Sequence, residues 1–244
     1  MFTPEERDRV RDALFEKARE DPRITGAALT GSAVVGNEDR WSDVDVFLGV
    51  AEGVDIDDVV KEWTDALVVD AGVVHHWDVR SGAALYRVFL LESGLHVDVA
   101  FTPEWDFGAR GPGFRTVFGS PVDVAAPLLP TFANVVGLGW LSVLHADVAI
   151  ERQRPWAAAF WIASVRDQTI AAACLRLGEN PMYARGADAL PPDVTAPLAA
   201  TFVASLEPNE QRRALREARR SLLDEIAATD ALLAERLEPA LVGG

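Results

Sequence analysis

A chain of 244 residues, 49% of them apolar and with a mean hydropathy of +0.08, is long enough for one large domain or two modest ones with real cores. A net charge of -15, with Lys17 and Lys61 as the only lysines, opposes a phosphate backbone, because nucleic-acid affinity rests on cations displacing counterions. No apolar run reaches the roughly 18 uninterrupted residues of a membrane helix, the N-terminal segment lacks the layout of a signal peptide, and a lone cysteine, Cys174, can build neither an internal disulfide nor a zinc site; the expectation is a cytoplasmic protein with no nucleic-acid or membrane partner.

Thr3-Pro4-Glu5-Glu6 has the form of a helix start, and predicts a helix to about Glu20. After Asp21-Pro22, residues 24–29 read as a strand running into Thr30-Gly31-Ser32; a polar loop through Gly36 and Arg40 leads to a second strand over 43–50. A helix over 56–69 precedes three strands, 73–80, 85–92 and 95–102, the last two joined at Ser93-Gly94. Proline and glycine then become frequent, and residues 104–130 read as an irregular linker. Beyond it the apolar period turns helical over 132–152, 156–177, about 193–205 and 209 to about 237. The late arginines Arg212, Arg213, Arg216, Arg219 and Arg220 alternate with Glu210, Glu217, Asp224 and Glu225, which predicts a solvated, ion-paired helix face. The expected fold class is α+β: an N-terminal mixed β-sheet domain with flanking helices over residues 1–120, then a C-terminal bundle of about four helices over 121–244.

Strand alternation projects Asp43 and Asp45 from one face while Val44 and Val46 turn inward. Two carboxylates about 7 Å apart repel unless a cation lies between them. On the strand at 95–102, Asp98 is a third carboxylate, sharing its face with His96. If the two strands are neighbours the three acids converge, and an all-oxygen set of this kind suits magnesium, two ions of which can clamp an in-line displacement at phosphorus. Gly31 lets backbone approach a phosphate closely and Ser32 offers an amide and a hydroxyl; Ser42, heading Asp43-Val44-Asp45 ten residues on, is grouped with them as nucleotide-binding.

Thr30-Gly31-Ser32 through Trp41-Ser42-Asp43-Val44-Asp45-Val46 resembles the signature of the polymerase beta-like nucleotidyltransferase superfamily: Gly-Ser, a spacer of roughly ten residues, Asp-hydrophobic-Asp, and a later third acid, matched by Asp98. The sheet domain followed by a helical bundle is similar to the antibiotic nucleotidyltransferases, the aminoglycoside ones especially. That resemblance implies a catalytic first domain, a substrate-binding second one, Asp43, Asp45 and Asp98 as metal ligands and catalytic groups, and transfer of AMP from ATP to a hydroxyl of a small acceptor. Acidity favours a cationic acceptor, aminoglycoside-like, with His96, Glu151 and Asp167 as candidate contacts; a monomer or homodimer is expected, and drug resistance in the host is an expectation of the same kind. The alternative is a regulatory, antitoxin-like protein of the same fold acting on a partner protein.

Overall fold

The computed structural model describes residues 1–126 and 128–242. The chain divides into two compact units, Met1–Pro127 and Leu128–Gly244.

In the first unit, α1 (Pro4–Glu20) starts as its sequence requires, with Thr3 Oγ1 accepting a hydrogen bond from the Glu6 amide. It is followed by β1 (Ile24–Thr30), a single turn of 3-10 helix at Gly31–Ala33, β2 (Val44–Val50), α2 (Ile56–Asp70), β3 (Val73–Ser81), β4 (Ala84–Leu91), β5 (His96–Pro103) and β6 (Phe114–Phe118). The six strands form one sheet in the order β3-β4-β5-β2-β1-β6, in which β2 and β5 run parallel and the other pairs antiparallel. The parallel pair exists because α2 and two further strands intervene between β2 and β5, enough chain for a crossover.

The two sheet faces differ. One is covered by α1 and α2, whose Leu14, Phe15, Val59, Val60, Trp63 and Leu67 pack on Leu29, Val46, Leu48, Val97, Val99 and Phe101. Trp63, fully buried, meets Phe101 edge-on with centroids 5.5 Å apart. The opposite face holds a smaller cluster of Ala28, Phe47, Ala84, Ala100 and Phe107, with Tyr86 and Phe114 against it. Phe107 lies over Gly26 and Gly49, where a Cβ would stand 2.6 and 3.0 Å from its ring, so the two glycines make its seat.

The second unit is helical: α3 (Phe132–Glu151), α4 (Pro155–Leu177), α5 (Pro192–Thr195), α6 (Pro208–Thr229) and α7 (Ala231–Val242). Its core joins Val143, Ala146 and Ile150 of α3, Ala158, Ile162 and Val165 of α4, Leu215, Ala218 and Leu222 of α6, and Ala234 and Leu241 of α7. By length and composition α3 could cross a membrane, and the face it buries here forms the middle of the bundle.

Three expectations fail. The stretch 104–130 is not wholly irregular: β6 lies within it and pairs with β1 at the sheet edge. The helix expected over 193–205 is a four-residue α5 followed by a 3-10 stretch, Ala196–Thr201, since Pro191, Pro192 and Pro197 remove the amide donors that a longer helix needs. The last expected helix is two, because Asp230 leaves helical geometry at φ -146° and its carboxylate accepts from the Leu233 amide, capping a new start.

Candidate active site

Strand alternation and the β2·β5 pairing together assemble the acids. Asp45 and Asp98 are direct register partners in the parallel pair, so both project from the face that carries Phe47 and Ala100, away from α1 and α2. Asp43 sits one residue before β2 begins rather than inside it. His96, at the start of β5, closes the group: its Nδ1 lies 3.3 Å from Asp43 Oδ2 and its Nε2 2.9 Å from Asp98 Oδ1. The two carboxylates raise the imidazole to about 10, against a smaller opposing effect of burial. The same contact holds Asp43 below the usual carboxylate range. A positively charged imidazolium thus stands between two acids from separate stretches of chain.

The Gly31 backbone abuts the third acid. With φ at +73°, a Cβ on Gly31 would lie 2.0 Å from Asp45 Oδ2, so only glycine leaves the carboxylate in place. Gly113, just before β6, passes close by: its own Cβ would come within 3.3 Å of the Gly31 carbonyl. The two serines separate. Ser32 has no side-chain hydrogen bond among the described residues, whereas the Ser42 hydroxyl accepts from the Asp39 amide at 2.9 Å and donates to Asp39 Oδ1 at 3.2 Å, which makes it the tie of the intervening loop. That loop is anchored from α1 as well. Arg7, only 5% exposed, donates to the Asp39 carbonyl at 2.6 Å, and Arg11 pairs with Glu38 at 2.7 Å.

Among the described residues no group of three or more His, Cys, Asp or Glu side chains forms a ready metal cage. Two details nonetheless fit a hard cation. Asp98 Oδ1 is enclosed and forms no hydrogen bond among the described residues; the positive charge it faces is the His96 imidazole at 2.9 Å, a charge that a bound cation would supplement. The neighbouring donors are carboxylates, which suit magnesium better than softer metals.

Sequence reasoning missed Tyr86 and Arg110. The Tyr86 phenol is pushed up by burial, and its side chain packs on the sheet face that carries Phe47 and Ala100, the face from which Asp45 and Asp98 project. It lies opposite Ala100 on β4, and Arg110 is ion-paired with Asp106. Their only signals were the alternation of β4 and an i,i+4 pair in a stretch read as linker. Of the acceptor candidates, His96 is part of the acid group. Glu151 and Asp167 belong to the second unit, where Glu151 pairs with Arg212 at 2.9 Å and Asp167 lies exposed, 3.8 Å from Arg166.

No family model matches the chain, and no curated protein matches it. Among solved structures it is similar to an aminoglycoside 6-adenyltransferase from Bacillus subtilis, at 14% identity over 91% of this chain and 89% of that one, with a TM-score of 0.38. It is also similar to a GLD-2/RNP-8 complex, at 14% identity over 92% and 79% of the two chains, with a TM-score of 0.31.

Proposed function

We propose that the chain is a nucleotidyltransferase that moves a nucleoside monophosphate, AMP from ATP in the first instance, onto a hydroxyl of a small acceptor. One observation carries this reading: Asp45 and Asp98 face each other across the β2·β5 pair, with Asp43 joined to Asp98 through His96 and with Gly31 against Asp45.

Asp43, Asp45 and Asp98 would hold magnesium, which when bound neutralises the triphosphate and the charge that develops at phosphorus. The chain's own residues do the rest. Gly31 offers backbone to the β- and γ-phosphates at close range, and the Ser32 hydroxyl donates to a phosphate oxygen. The acceptor oxygen bonds to the α-phosphorus as the bond from that phosphorus to the bridging oxygen breaks, and pyrophosphate leaves. Asp98 takes the acceptor's proton as the hydroxyl attacks. In the absence of divalent cation His96 supplies the positive charge between Asp43 and Asp98. For the acceptor, a net charge of -15 favours a polycation such as an aminoglycoside, drawn in more strongly at low salt.

The test is pyrophosphate release from ATP and magnesium with a panel of aminoglycosides, lincosamides and neutral polyols. Turnover is expected with an aminoglycoside, and Asp43→Asn and Asp45→Asn should each lower it by roughly a thousandfold or more, the scale of several kcal/mol of lost charge stabilisation, with an unchanged circular dichroism spectrum. Full activity in either variant sinks the assignment, and turnover confined to another acceptor class sinks the aminoglycoside part alone.

A further inference from the structure

A groove of about 710 Å³ runs between α3, α6 and α7 of the helical unit. That is the size of a pocket for a small organic molecule. Its accessible apolar surface comes from Leu223 of α6 and Val242 of α7, while Ile150 and Leu215, also in the lining, are buried in the core.

The charged lining is organised by helical spacing. Arg212, Arg216 and Arg219 recur at i, i+4 and i+7 along α6, and so share one face. Arg212 pairs with Glu151 at 2.9 Å and Arg219 with Asp147 at 2.6 Å, which engages both carboxylates of the α3 wall. Arg216, one turn from each, has no partner among the described residues. Arg219 is only 8% exposed, and beside the Nη2 that donates to Asp147 its Nε is enclosed with no acceptor. Such a donor is costly to leave unpaired. Its partner is poorly compensated as well, because burial raises the Asp147 carboxyl despite the pull of Arg219.

The balance of charge also limits the ligand. Arg220 and Asp224 face each other at 3.9 Å with both side chains exposed, and Glu238 on α7 is a lining carboxylate without a partner among the described residues. Arg216 is the unpaired guanidinium of the lining among the described residues, so an anion with a second charge would find no further unpaired cation there.

We propose that this groove binds an amphipathic organic monoanion, its carboxylate forked by the Arg216 guanidinium beside Arg219 and its apolar body lying on Leu223 and Val242. A planar carboxylate takes two parallel N–H donors from one guanidinium, which gives direction as well as charge.

Calorimetric titration of the full chain with octanoate, octyl phosphate and octylammonium tests it. Octanoate is expected to bind saturably, octyl phosphate at least several-fold more weakly, and octylammonium not at all. Arg216→Glu, at an exposed position, should melt like the parent and bind octanoate at least about tenfold more weakly, the loss expected for one charge-assisted pair, with Arg216→Lys between the two. Octylammonium binding as well as octanoate, an R216E protein binding as tightly as the parent, or no binding of any probe overturns the proposal. Tighter binding of octyl phosphate overturns the monoanionic head group.

Discussion

At Gly31 two constraints fall on one atom that is not there. The backbone turns through φ +73°, a region where a Cβ costs about 1 kcal/mol or more, and the space a Cβ would need is taken by Asp45 Oδ2. Gly31→Ala must therefore either unwind the turn or push the Asp45 carboxylate off its line with Asp98. The expected outcome is a modest loss of stability, about 1–2 kcal/mol, with a disproportionate loss of nucleotide transfer and of any thermal shift caused by magnesium and ATP. An alanine variant that melts lower yet turns over at the parent's rate would show that the glycine serves folding only. His96 makes a related point. Its alternation with Asp98 along β5 was visible in the sequence, but its reach back to Asp43 depends on which strand lies next to β5.

Between elements, Asp21 is the junction of α1, β1 and α2. It ends α1, and its carboxylate accepts from the Arg23 backbone amide, from the Arg23 guanidinium at 2.9 and 2.8 Å, and from the buried Trp63 indole at 2.9 Å. Arg23 chiefly, with Trp63 assisting, holds the carboxyl at about 2, well below its ordinary 3.8. A carboxyl depressed on folding stabilises fully above its unfolded value, and the contribution fades as pH falls through the folded one. Asp21→Asn, which keeps an acceptor for Trp63, should cost about 1–2 kcal/mol at neutral pH; the gap from the parent in urea unfolding should close as pH falls from about 4 towards 2. A gap that persists unchanged at pH 2 would locate the effect in packing instead of charge. The same scale shows why some elements were legible and others were not. β1, β2, β4 and β5 carry alternating or continuous apolar runs, and the acids on β2 and β5 follow from that alternation. β6 is five residues between glycine-rich stretches, and it becomes a strand only because β1 offers a free edge. Residues 193–205 have apolar spacing that suits a helix, and prolines override it. Phe107 is buried by glycines at positions 26 and 49, a fit that no local pattern announces.

Across the whole molecule, each unit has a core built from its own residues, the sheet core from α1 to β6 and the helical core from α3 to α7. Units organised so should respond separately to a cavity in one and to a ligand of the other. Leu222 is fully buried on α6 and fits against α3 at Gly139, where a Cβ would meet its methyl groups at 3.0 and 3.1 Å. Leu222→Ala should cost about 2–5 kcal/mol, the range for a large-to-small change in a packed core. Scanning calorimetry of the full chain is expected to resolve two transitions, of which L222A lowers one. Magnesium and ATP should raise the other, by about 2.7 kcal/mol of apparent stability at a hundredfold excess over Kd, and should do so equally in parent and L222A. A single transition that both changes move together would mean that the two cores fold as one. In that event the ligand would stabilise the helical core through the sheet unit, and an active-site variant such as D45N should abolish the ligand's effect on the whole chain.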